Sequence, residues 1–144
     1  MQSTPQRSRA SDMNSDGLTE TIIGCAYTVA NALGNGFLEK VYENALAYEM
    51  KKKGLKVEQQ CSIPVHYDDI VVGEYLADLL VDGRVLVELK AVKAIEDIHK
   101  AQCLHYLKAT GKRLCLLINF GAPKIQIKRI VNNFNPLLTE GAGD

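Results

Sequence analysis

From Gly17 to Leu33 apolar residues recur at helical spacing. Ile22, Ala26, Val29 and Leu33 form one stripe, broadened by Ile23 and Ala30. Gly34-Asn35-Gly36 ends it, because two glycines around an asparagine suit positive φ. The next pattern predicts a helix from Phe37 to Lys53, with Phe37, Leu38, Val41, Tyr42, Ala45 and Leu46 as its buried side. Lys51-Lys52-Lys53 fall in its last turn and Gly54 suits the position just beyond. The lysine run complements the helix dipole; contact with a polyanion is the alternative.

Extended chain follows. Val57 to Tyr67 reads as a strand in which Pro64 marks an edge or a bulge, because proline cannot donate to a ladder. Asp68-Asp69 is a turn, Ile70 to Val81 a second strand, and Asp82-Gly83-Arg84 a tight reversal into Val85 to Ala91. A helix from Asp97 to Thr110 starts beside acidic Glu96 and Asp97 and stops at Gly111. Leu114 to Asn119 is an apolar run suited to a strand covered on both faces, and Ile125 to Val131 is a last short strand. The order α-α-β-β-β-α-β-β predicts an α/β fold, a mixed central sheet flanked by helices, in one domain over 17–131. Residues 1–16 read as a disordered lead-in and 132–144 as a flexible tail.

Two of these strands carry charge where core is expected. Asp78 interrupts Tyr75 to Val81, and Glu88 and Lys90 interrupt Val85 to Ala91. An unpaired buried carboxylate costs several kcal/mol or shifts its pKa, so the three groups need a joint explanation. Glu88 and Lys90 are two apart and share a face. With a three-residue loop at 82–84, Val81 pairs with Val85 and Asp78 falls opposite Glu88. That register also gathers Leu79, Val81, Val85, Val87 and Leu89 on one apolar face; a two-residue loop would reverse the parity.

Facing carboxylates repel unless a cation lies between them. A hard divalent ion, Mg²⁺ with Mn²⁺ as substitute, held by Asp78, Glu88 and the Leu89 carbonyl resolves the repulsion, with Lys90 placed to steady developing negative charge. A buried Asp–Lys–Glu ion cluster without chemistry is the alternative. On the second helix Glu39 projects within about 20° of Leu46 and Met50, and Glu43, about 40° away, is its rival. On the later helix Gln102 lies one turn before Tyr106, where it could hydrogen-bond Lys90 or a phosphate.

Composition narrows the class. The chain has 144 residues, 47% of them hydrophobic, and its 17 basic and 17 acidic residues cancel. That balance excludes a strongly basic nucleic-acid coat but permits a local basic patch. No apolar run could span a membrane, and the first twenty residues hold no secretory signal, so a cytoplasmic protein is expected. Cys25, Cys61, Cys103 and Cys115 lack zinc or redox spacing and read as buried, reduced thiols. His66, His99 and His105 lack ligand spacing and read as surface or boundary residues. Serine-hydrolase, P-loop and dinucleotide motifs are missing.

An inward Glu on a helix, an Asp on one strand, Glu-x-Lys on the next and a Gln on the following helix resembles the PD-(D/E)XK nuclease superfamily. Gly36-Phe37-Leu38-Glu39-Lys40-Val41-Tyr42 resembles the signature of its GxxExxY branch, and the likeness runs from about residue 17 to 131. It implies a restriction-endonuclease-like core with Asp78 and Glu88 as Mg²⁺ ligands, Lys90 as catalytic lysine, Glu39 as accessory acid and Gln102 in support. Ala77 stands where the superfamily usually has proline, a position commonly relaxed. The implied chemistry is metal-assisted phosphodiester hydrolysis of DNA, structured DNA included, with a homodimer supplying two sites for a duplex. The alternatives are a catalytically silent module of the same fold that binds nucleic acid through its basic surface, and a protein-interaction role.

Overall fold

A computed structural model describes residues 15–133. Two helices, α1 (Ser15–Leu33) and α2 (Glu39–Lys52), precede strands β1 (Val57–Tyr67), β2 (Ile70–Val81) and β3 (Val85–Lys90). Helix α3 (Asp97–Thr110) then leads to β4 (Leu114–Asn119) and β5 (Gln126–Val131). The five strands lie in chain order, antiparallel except for the β3–β4 pair, which α3 connects. The predicted element order and mixed sheet are present. Ser15 and Asp16, assigned to the lead-in, belong to α1. Asn132, assigned to the loose tail, is buried, and its amide donates 2.8 Å to the Arg113 carbonyl. The remainder of both tails lies outside the described residues.

Two apolar clusters sandwich the sheet. Leu18, Ile22 and Val29 of α1 and Tyr42, Leu46 and Met50 of α2 meet Leu79, Val81, Val85, Val87 and Leu89, the face the strand parity predicts. On the other side Cys103, Tyr106 and Leu107 of α3 meet Leu80, Leu86, Cys115 and Leu117. Helix α2 ends as predicted: the Gly54 amide bonds Lys51 at φ +87°, and the Leu55 amide returns to Met50.

The buried stripe of α2 departs from expectation. Phe37 and Val41 are exposed and Leu38 is the most exposed of the three; Tyr42, Glu43, Leu46, Ala47 and Met50 are buried. Tyr42 fixes this rotation. Its hydroxyl donates 2.6 Å to the Gly34 carbonyl and accepts the Phe37 amide at 3.2 Å, and its ring stacks on Phe120 at 4.5 Å. The helix turns toward that anchor rather than toward its most apolar residues.

β1 is an outer strand and carries Pro64, with a register shift between Val65 and His66. The β1–β2 hairpin extends past the core, leaving Tyr67, Ile70, Val71, Val72, Tyr75 and Leu76 exposed. Gln60 has a left-handed backbone, φ +53°, and the alternation changes sides around it. Val57, Leu79 and Val81 face α1 and α2, whereas Cys61, Ile63 and Ala77, of the same parity, pack beneath α3.

Candidate active site

The 82–84 loop gives Val81 opposite Val85 and Leu79 opposite Val87, the register expected of a three-residue connection. Continued by one residue, it sets Asp78 beside Glu88, and there the backbone ladder stops. The two side chains replace it: the Asp78 amide donates 3.1 Å to Glu88 Oε2, and the Leu89 amide donates 2.8 Å to Asp78 Oδ2. Each carboxylate thus closes the neighbouring strand's open backbone group, which fixes both head groups at the point where β2 and β3 part.

This enclosure has an electrostatic cost. Glu88 is buried, and desolvation, reinforced by the Asp78 charge, pushes its pKa up to about 9. Near neutral pH the pair holds a proton where a cation would also fit. The donors suit a hard divalent ion: two oxygen ligands from adjacent strands with the Leu89 carbonyl next to them in sequence. Among the described residues there is no cluster of three or more His, Cys, Asp or Glu able to hold a metal. Water or substrate oxygens would have to complete the shell, as Mg²⁺ favours.

Lys90 follows on the same face, half-buried, and makes no ion pair among the described residues. Its strand end is held firmly. The Phe120 amide donates 2.8 Å to the Lys90 carbonyl. Fully buried Asn119 accepts the Val92 and Gly121 amides and donates to the Val92 carbonyl and Gln126 Oε1, at 2.9–3.0 Å. Gly121 passes so close to this loop that a Cβ would stand 2.4 Å from Val92 backbone atoms.

Gln102 donates 3.1 Å to the Tyr106 hydroxyl. Burial, then the Glu88 and Asp78 charges, push the Tyr106 phenol up to about 12, so the tyrosine stays protonated beside the carboxylates. Tyr106 therefore holds Gln102 within the electrostatic reach of Asp78 and Glu88, a place that the sequence did not assign to it. The one-turn spacing from Gln102 was the signal.

Glu39 and Glu43 exchange the places expected of them. Glu39 is exposed and lines a cleft with Gly36, Ala91 and Gly121, with no bond to the carboxylate pair. Glu43 is buried and accepts Gln59 at 2.8 Å, Gln60 at 2.9 Å and Lys40 at 3.0 Å. The same Gln60 amide reaches Asp78 Oδ1 at 3.4 Å, so the inward acid of α2 connects to the site through β1. The rotation fixed by Tyr42 accounts for the exchange.

The thiols also differ from four isolated buried groups. Cys61 is only half-buried, and Cys103 and Cys115 hydrogen-bond each other behind the site. That bond, then burial, push the Cys115 thiol up; the same bond and the Lys90 ammonium hold Cys103 below its ordinary range. His66 and His105 are exposed and His99 caps α3, as boundary residues would.

A family model of the PD-(D/E)XK nuclease superfamily matches residues 16–130. Among solved structures, the crystal structure of SSO0001 superposes with a TM-score of 0.51 at 17% identity, over 69% of this chain and 52% of that one. The chain thus spans about half the length of that structure, and the likeness is one of fold. No curated protein matches the chain. No helix among the described residues is long and apolar enough to cross a membrane.

Proposed function

The chain belongs to the PD-(D/E)XK nuclease superfamily, and on that premise we propose that it is a metal-dependent nuclease hydrolysing phosphodiester bonds in DNA. The observation that carries the reading is the carboxylate pair, Asp78 and Glu88, each bonded to the other's strand and so enclosed that burial and the Asp78 charge push the Glu88 pKa up to about 9. Asp78, Glu88 and the Leu89 carbonyl would hold Mg²⁺, or Mn²⁺ in its place. When bound, that ion would polarise the scissile phosphate and lower the pKa of a water.

The residues around it have separable tasks. Lys90 offers an ammonium to the attacking or leaving oxygen, and its unpaired state leaves it available. Tyr106, held by Gln102, keeps a neutral hydroxyl donor beside the carboxylates. Glu43 and Gln60 limit how far Asp78 can turn. Glu39, at the mouth of its own cleft, would meet substrate or a second ion rather than the first. Within the superfamily, Gly36, Glu39 and Tyr42 favour the GxxExxY branch. The same reading takes 17–131 as one domain of a cytoplasmic protein acting on DNA, with a homodimer as its duplex-binding form.

Incubation of the purified chain with DNA and Mg²⁺ tests the reading. Asp78→Asn, Glu88→Gln and Lys90→Ala should each lower cleavage roughly a hundredfold or more while circular dichroism stays unchanged. If all three cleave like the parent, the reading fails. The small donor set favours a second reading, a silent nuclease-fold module that binds nucleic acid or a protein partner. Salt-sensitive DNA binding with no turnover in either metal would select its nucleic-acid form.

A further inference from the structure

The β1–β2 hairpin and α3 border an open cleft of about 460 Å³ lined by Val65, His66, Tyr75, His105, Lys108 and Ala109. This volume lies within the range of small-ligand sites. Its chemistry is mixed in a particular way. Tyr75 offers an exposed ring, while His66 and His105 supply ring nitrogens and Lys108 an ammonium around it.

The cleft is not remote from the carboxylates. The Tyr75 ring stands 5.6 Å from the Tyr106 ring, tilted by 41°. Tyr106 in turn bonds Gln102 and lies within the electrostatic reach of Glu88 and Asp78. One aromatic pair therefore lies between the Lys108 side of the cleft and the acidic pair.

An aromatic face beside a cationic edge suits a nucleotide: the base stacks and the phosphate is neutralised. Paired bases inside a duplex have both faces already stacked, so only an unpaired one can use Tyr75. We infer that the cleft between the β1–β2 hairpin and α3 binds an unpaired nucleotide of the substrate strand, its base on Tyr75 and its phosphate at Lys108. The adjoining phosphate is thereby presented toward Asp78 and Glu88. This assignment deepens the nuclease reading and rests on it for the role of the bound strand, though its test requires no cleavage.

Binding is read by fluorescence anisotropy with a labelled oligothymidylate and with a blunt duplex, both in the presence of a metal chelator. Tyr75→Ala should weaken single-strand binding about tenfold, with Lys108→Glu acting in the same direction and duplex binding little changed. Tyr27→Ala, which removes an exposed tyrosine of α1, should leave both unchanged. The chain has no tryptophan, so Tyr75→Trp introduces a single tryptophan whose emission the oligothymidylate should quench. Lack of oligothymidylate binding, equal losses on both ligands, or unquenched tryptophan in a complex that anisotropy detects would each overturn the inference. If Tyr75-dependent binding persists in a chain that never cleaves in Mg²⁺, the nuclease reading falls and the cleft assignment stands. If the chain cleaves but its binding is independent of Tyr75, the cleft assignment falls and the nuclease reading stands.

Discussion

The two faces of β2 and β3 are built from the same short stretch of each strand, yet they obey different rules. Toward α1 and α2 the strands present Leu79, Val81, Val85, Val87 and Leu89, all buried against hydrocarbon. Toward α3 the same strands begin with Leu80 and Leu86, then present Asp78, Glu88 and Lys90. The first face gains stability from area removed from water. The second holds two acids close enough to disfavour their own ionisation, an arrangement that hydrophobic residues of similar size would match or improve for stability alone. Strand pairing lets both coexist, because a period of two keeps neighbours in sequence on opposite sides.

Adjacent substitutions give the sharpest contrast. Leu79→Ala should cost about 2–5 kcal/mol of stability in chemical denaturation, because a fully buried side chain leaves a cavity, while turnover per folded molecule is retained. Asp78→Asn, one residue away, should retain the fold and lose turnover. Equal effects of the two on either measurement would dissolve the distinction between the faces.

Protonation gives a second handle. Glu88 has a folded pKa of about 9 against an ordinary 4.5, so between these values the folded state binds more protons than the unfolded one. Its contribution is fully present below pH 4.5 and is lost as pH rises through about 9. Metal-free protein should therefore lose stability with rising pH across that window, and Glu88→Gln should flatten this part of the profile. Mg²⁺ should raise the melting temperature most at the alkaline end, where no proton must leave to admit it. Melting curves across pH, with and without the ion, check both statements.

The smallest effect belongs to Tyr42, the anchor of the α1 and α2 face. Tyr42→Phe removes the bonds to Gly34 and from Phe37 but keeps the stack on Phe120, and should cost about 1–2 kcal/mol with activity nearly unchanged. A much larger loss of activity would mean that the hydroxyl, rather than the ring, holds the Lys90 end of β3 in place.

Much of this was legible in the chain because local rules determine it. The Asp82-Gly83-Arg84 loop fixes the register as far as Leu79 opposite Val87, and the next step along it meets the bonds that join Asp78 and Glu88 to each other's strands. The caps at Gly54 and Gly111 and the apolar run of β4 are equally local. What escaped depends on contacts between distant elements. The α2 stripe is rotated by Tyr42 meeting Gly34 and Phe120, so Glu43 turns inward in place of Glu39. Gln60 adopts a positive φ that nothing in its neighbours announces, and Cys103 meets Cys115 only because α3 lies across β4. Asn119 did leave a trace, a lone amide at the end of an otherwise apolar run.

The outer margin of β1 carries a consequence of its own. A bare strand edge is a template on which further chains can add, the first step toward ordered aggregates. Here Pro64 withdraws a donor from the strand, left-handed Gln60 breaks its straightness, and the irregularity after Val65 twists what remains. An incoming segment would find few consecutive partners. The protein can thus extend an apolar hairpin into water while offering its own copies a poor seed for fibril growth.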